Sequence, residues 1–267
     1  MKKNIILTIM AILGLVSCNE SQVNKPYIKV FDNYKPIYTA DEISSKFDSA
    51  LLEKNDKGFE KIFIEWNKLV KPNTKDFINQ NDVFSAIFSI YMEFYKPNNI
   101  DALGIKLSRN IISSKNNYVI VQNQIQYSVI SFDSIDDIDI NTIKTDTINN
   151  FRPPVNVDSG KVLYLTQEYY EALLKYLYGD SDNYDAREKQ IMYYEKISPF
   201  ITLHRSHWGG YRCIVTYPYI TLILFDNTLT KAKIYFNVWF DKAETLMEKA
   251  DGKWAIKESK VVSSWIE

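Results

Sequence analysis

Glu244-Thr245-Leu246-Met247-Glu248-Lys249-Ala250-Asp251-Gly252-Lys253-Trp254-Ala255-Ile256 reads as two alternating runs around a two-residue turn. Asp-Gly supplies the two positive-φ positions of a tight hairpin, so the runs pair antiparallel. The period of two then fixes the register: Met247 faces Ile256, and Lys249 faces Trp254. Just upstream, Tyr219 to Phe225 is a continuous apolar strand and Asp226-Asn227 opens a turn. Lys231 to Phe240 alternates, with Ala232, Ile234, Phe236, Val238 and Phe240 on one face. These runs form a β-meander. Trp265 and Ile266 at the end of the chain predict a buried last strand whose truncation is destabilising.

Working back toward the N-terminus, the period changes from two to 3.6. Residues 27–115 read as a small helical bundle, and residues 116–267 as an α+β region that continues from it or packs beside it. Ile43, Phe47, Ala50 and Leu51 mark one helix, and Phe59, Ile62, Phe63, Trp66, Leu69 and Val70 a second that stops at Lys71-Pro72. Val83, Phe84, Ile87, Phe88, Tyr91, Phe94 and Tyr95 mark a third, closed by Lys96-Pro97. Tyr118–Val121 and Ile125–Phe132 are rich in β-branched and aromatic residues and read as strands. The acidic, then Thr/Asn-rich stretch from Asp133 to Asn150 reads as a loop or edge segment. Phe151-Arg152-Pro153-Pro154 must be extended and makes an internal joint. Lys161–Leu165 is a short strand leading to a helix capped by Thr166, and a further helix runs from about Arg187 to Ile197. The fold class is α+β, an antiparallel sheet with packed helices, and its helix-plus-meander ending is similar in layout to the cystatin-like and NTF2-like folds.

The first residues carry an address. Lys2 and Lys3 precede an apolar run from Ile5 to Val16, too short for the roughly 20 residues that span a bilayer. The run ends in Leu15-Val16-Ser17-Cys18, which resembles the lipobox read by lipoprotein signal peptidase. The resemblance implies that residues 1–17 are removed, that Cys18 carries thioether-linked diacylglycerol, and that palmitate or a similar acyl group is added to its new amino group. Two or three acyl chains hold a protein on a membrane, where one binds only marginally. Residues 18–26 then form a polar tether. The expected location is the cell envelope, on the outer membrane. Asn150-Phe151-Arg152-Pro153-Pro154, Val162-Leu163-Tyr164-Leu165-Thr166, His207-Trp208-Gly209-Gly210-Tyr211 with Thr216-Tyr217-Pro218, and Trp265-Ile266-Glu267 together resemble a group of lipoproteins of unassigned function from Bacteroidota-type bacteria. That resemblance supports the localisation and implies no catalytic residue.

The formal charge of the whole chain is -1 and no basic block occurs, which argues against nucleic acid as a partner. With Cys18 lipidated, Cys213 is the remaining thiol and no internal disulfide can form. Phosphate-binding loops, dinucleotide fingerprints, Gly-x-Ser-x-Gly elbows and His-Glu-x-x-His helices are missing from the sequence. Both histidines and the thiol fall within His204-Arg205-Ser206-His207-Trp208-Gly209-Gly210-Tyr211-Arg212-Cys213. His204, His207 and Cys213 are ligand types suited to zinc, though no fourth ligand is evident, and an imidazole could activate the thiol. The structural alternative makes Gly209-Gly210 a turn over a packed Trp208, with Cys213 an inert interior residue. Between these lies a binding role, with Arg205, Trp208, Tyr211 and Arg212 lining a pocket mouth for a stacked sugar or an acidic partner. Asp133, Asp136, Asp137 and Asp139 lack the calcium-loop pattern, as do Asp180, Asp182 and Asp185. The expectation is a non-enzymatic binding protein for an envelope protein or glycan, with no cofactor. A polymer-directed hydrolase with its site near His204–Cys213 and a toxin-immunity lipoprotein are the alternatives.

Overall fold

The computed structural model describes residues 34–53, 56–94, 118–131, 140–155, 161–177, 184–205, 212–214, 219–238 and 241–263. Helices α1 (Ala40–Leu52), α2 (Asp56–Leu69), α3 (Lys75–Ile78) and α4 (Asp82–Phe94) come first. Strands β1 (Val119–Val121), β2 (Gln124–Ile130), β3 (Asp146–Asn149) and β4 (Val162–Tyr164) lead to α5 (Gln167–Leu177) and α6 (Tyr184–Ile197). The short pair β5 (Leu203–Arg205) and β6 (Arg212–Ile214) precedes β7 (Tyr219–Asp226), β8 (Lys231–Val238), β9 (Asp241–Ala250) and β10 (Lys253–Ser263). The class is α+β, helices toward the N-terminus and strands toward the C-terminus.

The Asp-Gly turn sets the register of the final hairpin: Met247 lies opposite Ile256 and Lys249 opposite Trp254. Asp251 and Gly252 take φ values of 51° and 78°, the left-handed pair whose twist matches the flanking strands. At the β7–β8 turn the Asp226 carboxylate accepts from the N–H groups of Thr230 and Lys231 and from the hydroxyls of Thr228 and Thr230. Burial opposes its charge, but the Lys231 N–H and these other donors outweigh it and hold the carboxyl below the usual range. Six strands lie in the order β10-β9-β8-β7-β2-β3. All neighbours are antiparallel except β2 and β7, which are parallel. A parallel pair needs a long crossover, and here the connection carries α5 and α6.

Ala232, Ile234, Phe236 and Val238 turn to the helices and are buried. Phe94 of α4 meets Phe236 edge-on at 4.9 Å, and Phe84 meets Tyr127 of β2 at 6.3 Å. α4 therefore covers the sheet, while α1 packs on α2 and α5. The reason is its composition: Phe84, Ala86, Ile87, Phe88, Ile90, Tyr91 and Phe94 are all buried, more than one stripe of a helix. Phe151-Arg152-Pro153 is extended as its prolines require, but it is a buried strap and not an exposed joint. Phe151 packs against Phe88 and Tyr91, and Asn73 Oδ1 accepts from the Arg152 N–H at 2.6 Å. Two smaller departures concern Thr166 and β10. Thr166 precedes α5, and its carbonyl accepts from the Tyr170 N–H, but its buried Oγ1 has no partner among the described residues. The last strand is not buried: only Trp254 is, and Val261 and Val262 are 40% and 58% exposed. An edge strand has a neighbour on one side only, and alternate residues of β10 face away from the helices. Trp265 and Ile266 lie outside the described residues.

α1 and α2 approach closely at Gly58, where an added Cβ would sit 2.9 Å from Ala50 Cβ and 3.0 Å from its Cα. Gly58→Ala should therefore destabilise the protein by about 1–3 kcal/mol in urea unfolding, because overpacking exceeds the helix-propensity gain of about 1 kcal/mol. A stabilised variant would mean that the two helices do not meet as described.

Candidate functional site

Two regions of the described structure bring chemistry-bearing residues together. The first is a cleft where the chain enters α1. Thr39 caps that helix, its hydroxyl accepting from the Glu42 N–H while the Glu42 carboxylate accepts from the Thr39 N–H. This reciprocal box fixes the direction from which Tyr34 to Tyr38 arrive. Tyr38 donates its hydroxyl to Glu65 of α2 at 2.6 Å. Lys46 donates to the other oxygen of Glu65 at 2.6 Å and lies 3.5 Å from the centre of the Tyr38 ring. Hydrogen bonds from Lys46 and Tyr38 hold the Glu65 carboxyl below its usual range against the opposing effect of burial. For Lys46, burial opposes the charge, but Glu65 and Tyr38 raise its pKa above the ordinary lysine value.

The wall of the cleft is Tyr169 of α5, lying flat on Trp66 with centroids 4.0 Å apart and planes 5° apart. Trp66 is fully buried and donates its indole N–H to the Tyr164 carbonyl at 3.0 Å. Burial raises the pKa of the Tyr169 hydroxyl, and Glu65, Tyr34, Tyr38 and Glu168 add to the effect. Tyr34 is itself covered by the Arg152 guanidinium, 4.3 Å from its ring centre. Tyr34, Ile37, Tyr38, Leu69, Val70, Glu168 and Tyr169 line the cleft, which is shallow: its enclosed space, about 10 Å³, is that of one water. Glu168 Oε2 is shielded from solvent and has no hydrogen-bond partner among the described residues. A shielded acceptor of this kind is costly unless a donor reaches it.

The second region is the segment around the histidines. β5 and β6 pair antiparallel, with His204 opposite Cys213 and Arg205 opposite Arg212. The backbone thus sets one histidine across from the thiol-bearing residue, a juxtaposition the sequence spacing leaves open. His207, Trp208 and Tyr211 lie outside the described residues, as do Asp133, Asp136, Asp137, Asp139, Asp180 and Asp182. Among the described residues no group of three His, Cys, Asp or Glu side chains is placed to hold a metal ion.

Comparisons of the chain with family models, with curated proteins and with solved structures each find no match. No described helix is long and apolar enough to cross a membrane.

Tyr34 and Tyr38 carry no motif, and Tyr169 falls on the apolar stripe of its helix with Ala172, Leu173 and Tyr176. The Thr39-x-x-Glu42 capping box behind Tyr34-Lys35-Pro36-Ile37-Tyr38 is the one signal that could have marked this corner. Glu65→Gln should cost on the order of 0.5–1 kcal/mol at neutral pH, as a partly exposed ion pair does. Because the folded carboxyl is held below its ordinary value, the gap between wild type and variant should persist above about pH 5 and close as pH falls through the folded pKa. Chemical unfolding at several pH values reads this, and a gap that widens in acid would contradict the Lys46–Glu65–Tyr38 assignment. Elemental mass spectrometry of the purified protein tests the histidine segment. Zinc well below one per chain is expected, and stoichiometric zinc lost in His204→Ala would make β5–β6 a metal site.

Proposed function

We propose that the protein is a lipid-anchored binding protein of the cell envelope, held on the outer membrane through Cys18, whose tyrosine cleft takes the edge of a glycan. The reading of its location is supported by the Leu15-Val16-Ser17-Cys18 lipobox and by the stretches that resemble Bacteroidota lipoproteins. The observation that carries the binding reading is Glu168 Oε2, shielded and without a partner among the described residues in a cleft lined also by Tyr34, Tyr38 and Tyr169. A sugar offers the complementary chemistry, hydroxyls that donate to the carboxylate and an apolar edge for the tyrosine and aliphatic side chains that line the cleft. An enclosed volume near that of one water suits the edge of a chain molecule lying across the surface better than a small molecule engulfed by a deep pocket.

Titration calorimetry with oligosaccharides from peptidoglycan, lipopolysaccharide and plant polymers tests this. At least one should bind, and Glu168→Gln should weaken it about tenfold or more, the loss of a hydrogen bond to a charged acceptor. Tyr38→Ala should weaken it as well. Absence of binding across the set, or binding that neither substitution changes, would sink the reading.

A second reading, a hydrolase acting on envelope or dietary polymers, has one observation in its favour. The β5–β6 register sets His204 opposite Cys213, a pairing from which a thiol could be activated by an imidazole. Turnover of any of these polymers that is lost in Cys213→Ser would support it.

A further inference from the structure

We infer that the solvent face of strands β8 to β10 is a contact surface for anionic lipid headgroups of the membrane that carries the anchor; the inference rests on the reading of Cys18 as lipidated. The register assigns that face. Phe236, Ala243, Thr245, Met247 and Ile256 turn toward the helices, so their neighbours along each strand turn away. On the outer side two rungs cross all three strands. Glu244 is shared by Lys233 at 3.3 Å and Lys260 at 2.8 Å. Glu248 is shared by Lys257 at 3.4 Å and Lys231 at 4.0 Å. In each rung one carboxylate bridges two ammonium groups from the flanking strands.

Lys242 and Lys253 occupy further outer positions, against a single additional carboxylate, Glu258, among the described residues of these strands. Among those residues lysine thus outnumbers glutamate two to one on this face, although acidic residues outnumber basic ones in the chain as a whole. Part of the excess is presented: the side chains of Lys231, Lys257 and Lys260 are 53%, 50% and 57% exposed, while Lys233 and Glu244 are sunk at 9% and 12%.

The tether allows this contact without dictating it. From Cys18 to Tyr34 the chain can extend to at most about 55 Å. A folded body of this size has a radius of gyration of roughly 18 Å. Any face can therefore turn to the bilayer, and the choice falls to short-range forces, since exposed charges are screened beyond about 8 Å at physiological ionic strength. A sheet face with an excess of lysine is the complement of a surface of phosphate groups. Lysines on an edge strand also deter pairing with other strands, and the bulges at Ile256/Glu258 and Val261/Ser263 serve the same end. That role alone requires no response to lipid charge.

The test uses the full protein, purified from membranes with its lipid attached and reconstituted into vesicles of phosphatidylcholine, with or without phosphatidylglycerol. A membrane-impermeant acetylating reagent is applied, and each lysine is followed by mass spectrometry. Lys257, Lys260 and Lys253 should react several-fold more slowly on the anionic vesicles, recovering in high salt, while Lys61 and Lys68 on α2 keep the same rate throughout. Equal rates on both vesicles, or slowing that Lys61 and Lys68 share, would overturn the inference. Intact mass separates the two failures: a chain without lipid on Cys18 sinks the anchoring reading, whereas a lipidated chain with unchanged rates sinks only the membrane face.

Discussion

The indole of Trp66 joins the two halves of this structure. It has no exposed surface, it stacks on Tyr169 of α5, and its N–H reaches the carbonyl of Tyr164 at the end of β4. One residue on, Asn67 donates to the Val162 carbonyl at 2.7 Å. α2 therefore holds β4 by two side chains, and β4 pairs in parallel with β1, the strand that runs on into β2 of the large sheet. A buried tryptophan combines large apolar area with a donor that must be satisfied, so its position is fixed in orientation as well as depth. The floor of the tyrosine cleft is a by-product of this contact.

The same logic explains much of the tyrosine content. Tyr164 donates to the Pro153 carbonyl, Tyr176 to the Ser44 carbonyl and Tyr193 to Asp48. In each case the ring fills the core and the hydroxyl ties two elements distant in sequence. Burial pushes the Tyr164 and Tyr176 hydroxyls up to about 12 and that of Tyr193 higher, so all three stay protonated donors at any physiological pH. Tyrosine is thus in part the means by which this chain pins its helices.

What was legible in the sequence was local. Asp251-Gly252 dictates a hairpin because few residues accept its backbone angles, and the register follows from the pleat. Lys71-Pro72 and Ser198-Pro199 stop helices for equally local reasons. The parallel pairing of β2 with β7 depends on a crossover of many residues, and periodicity says nothing about partners so far apart. α4 gives the same stripe whether it faces helices or a sheet. Phe151-Arg152-Pro153-Pro154 looks like a joint because prolines are common in linkers, yet the same rigidity serves a buried strap. At the cleft, Tyr34, Tyr38, Glu65, Glu168 and Tyr169 come from three separate segments, and their convergence depends on how α1, α2 and α5 pack. The His204–Cys213 pairing is an intermediate case, since both residues were visible and only their register was not.

If Trp66 and the strap at Phe151 couple the helices to the sheet, the protein should open as one unit. Native-state hydrogen exchange reads this directly, by comparing the opening free energies of amides in the middle of α2 with those in the middle of β8. Coincident values that fall together in Trp66→Phe are the predicted result. An α2 that exchanges at markedly lower free energy than β8, with β8 indifferent to the substitution, would contradict the account.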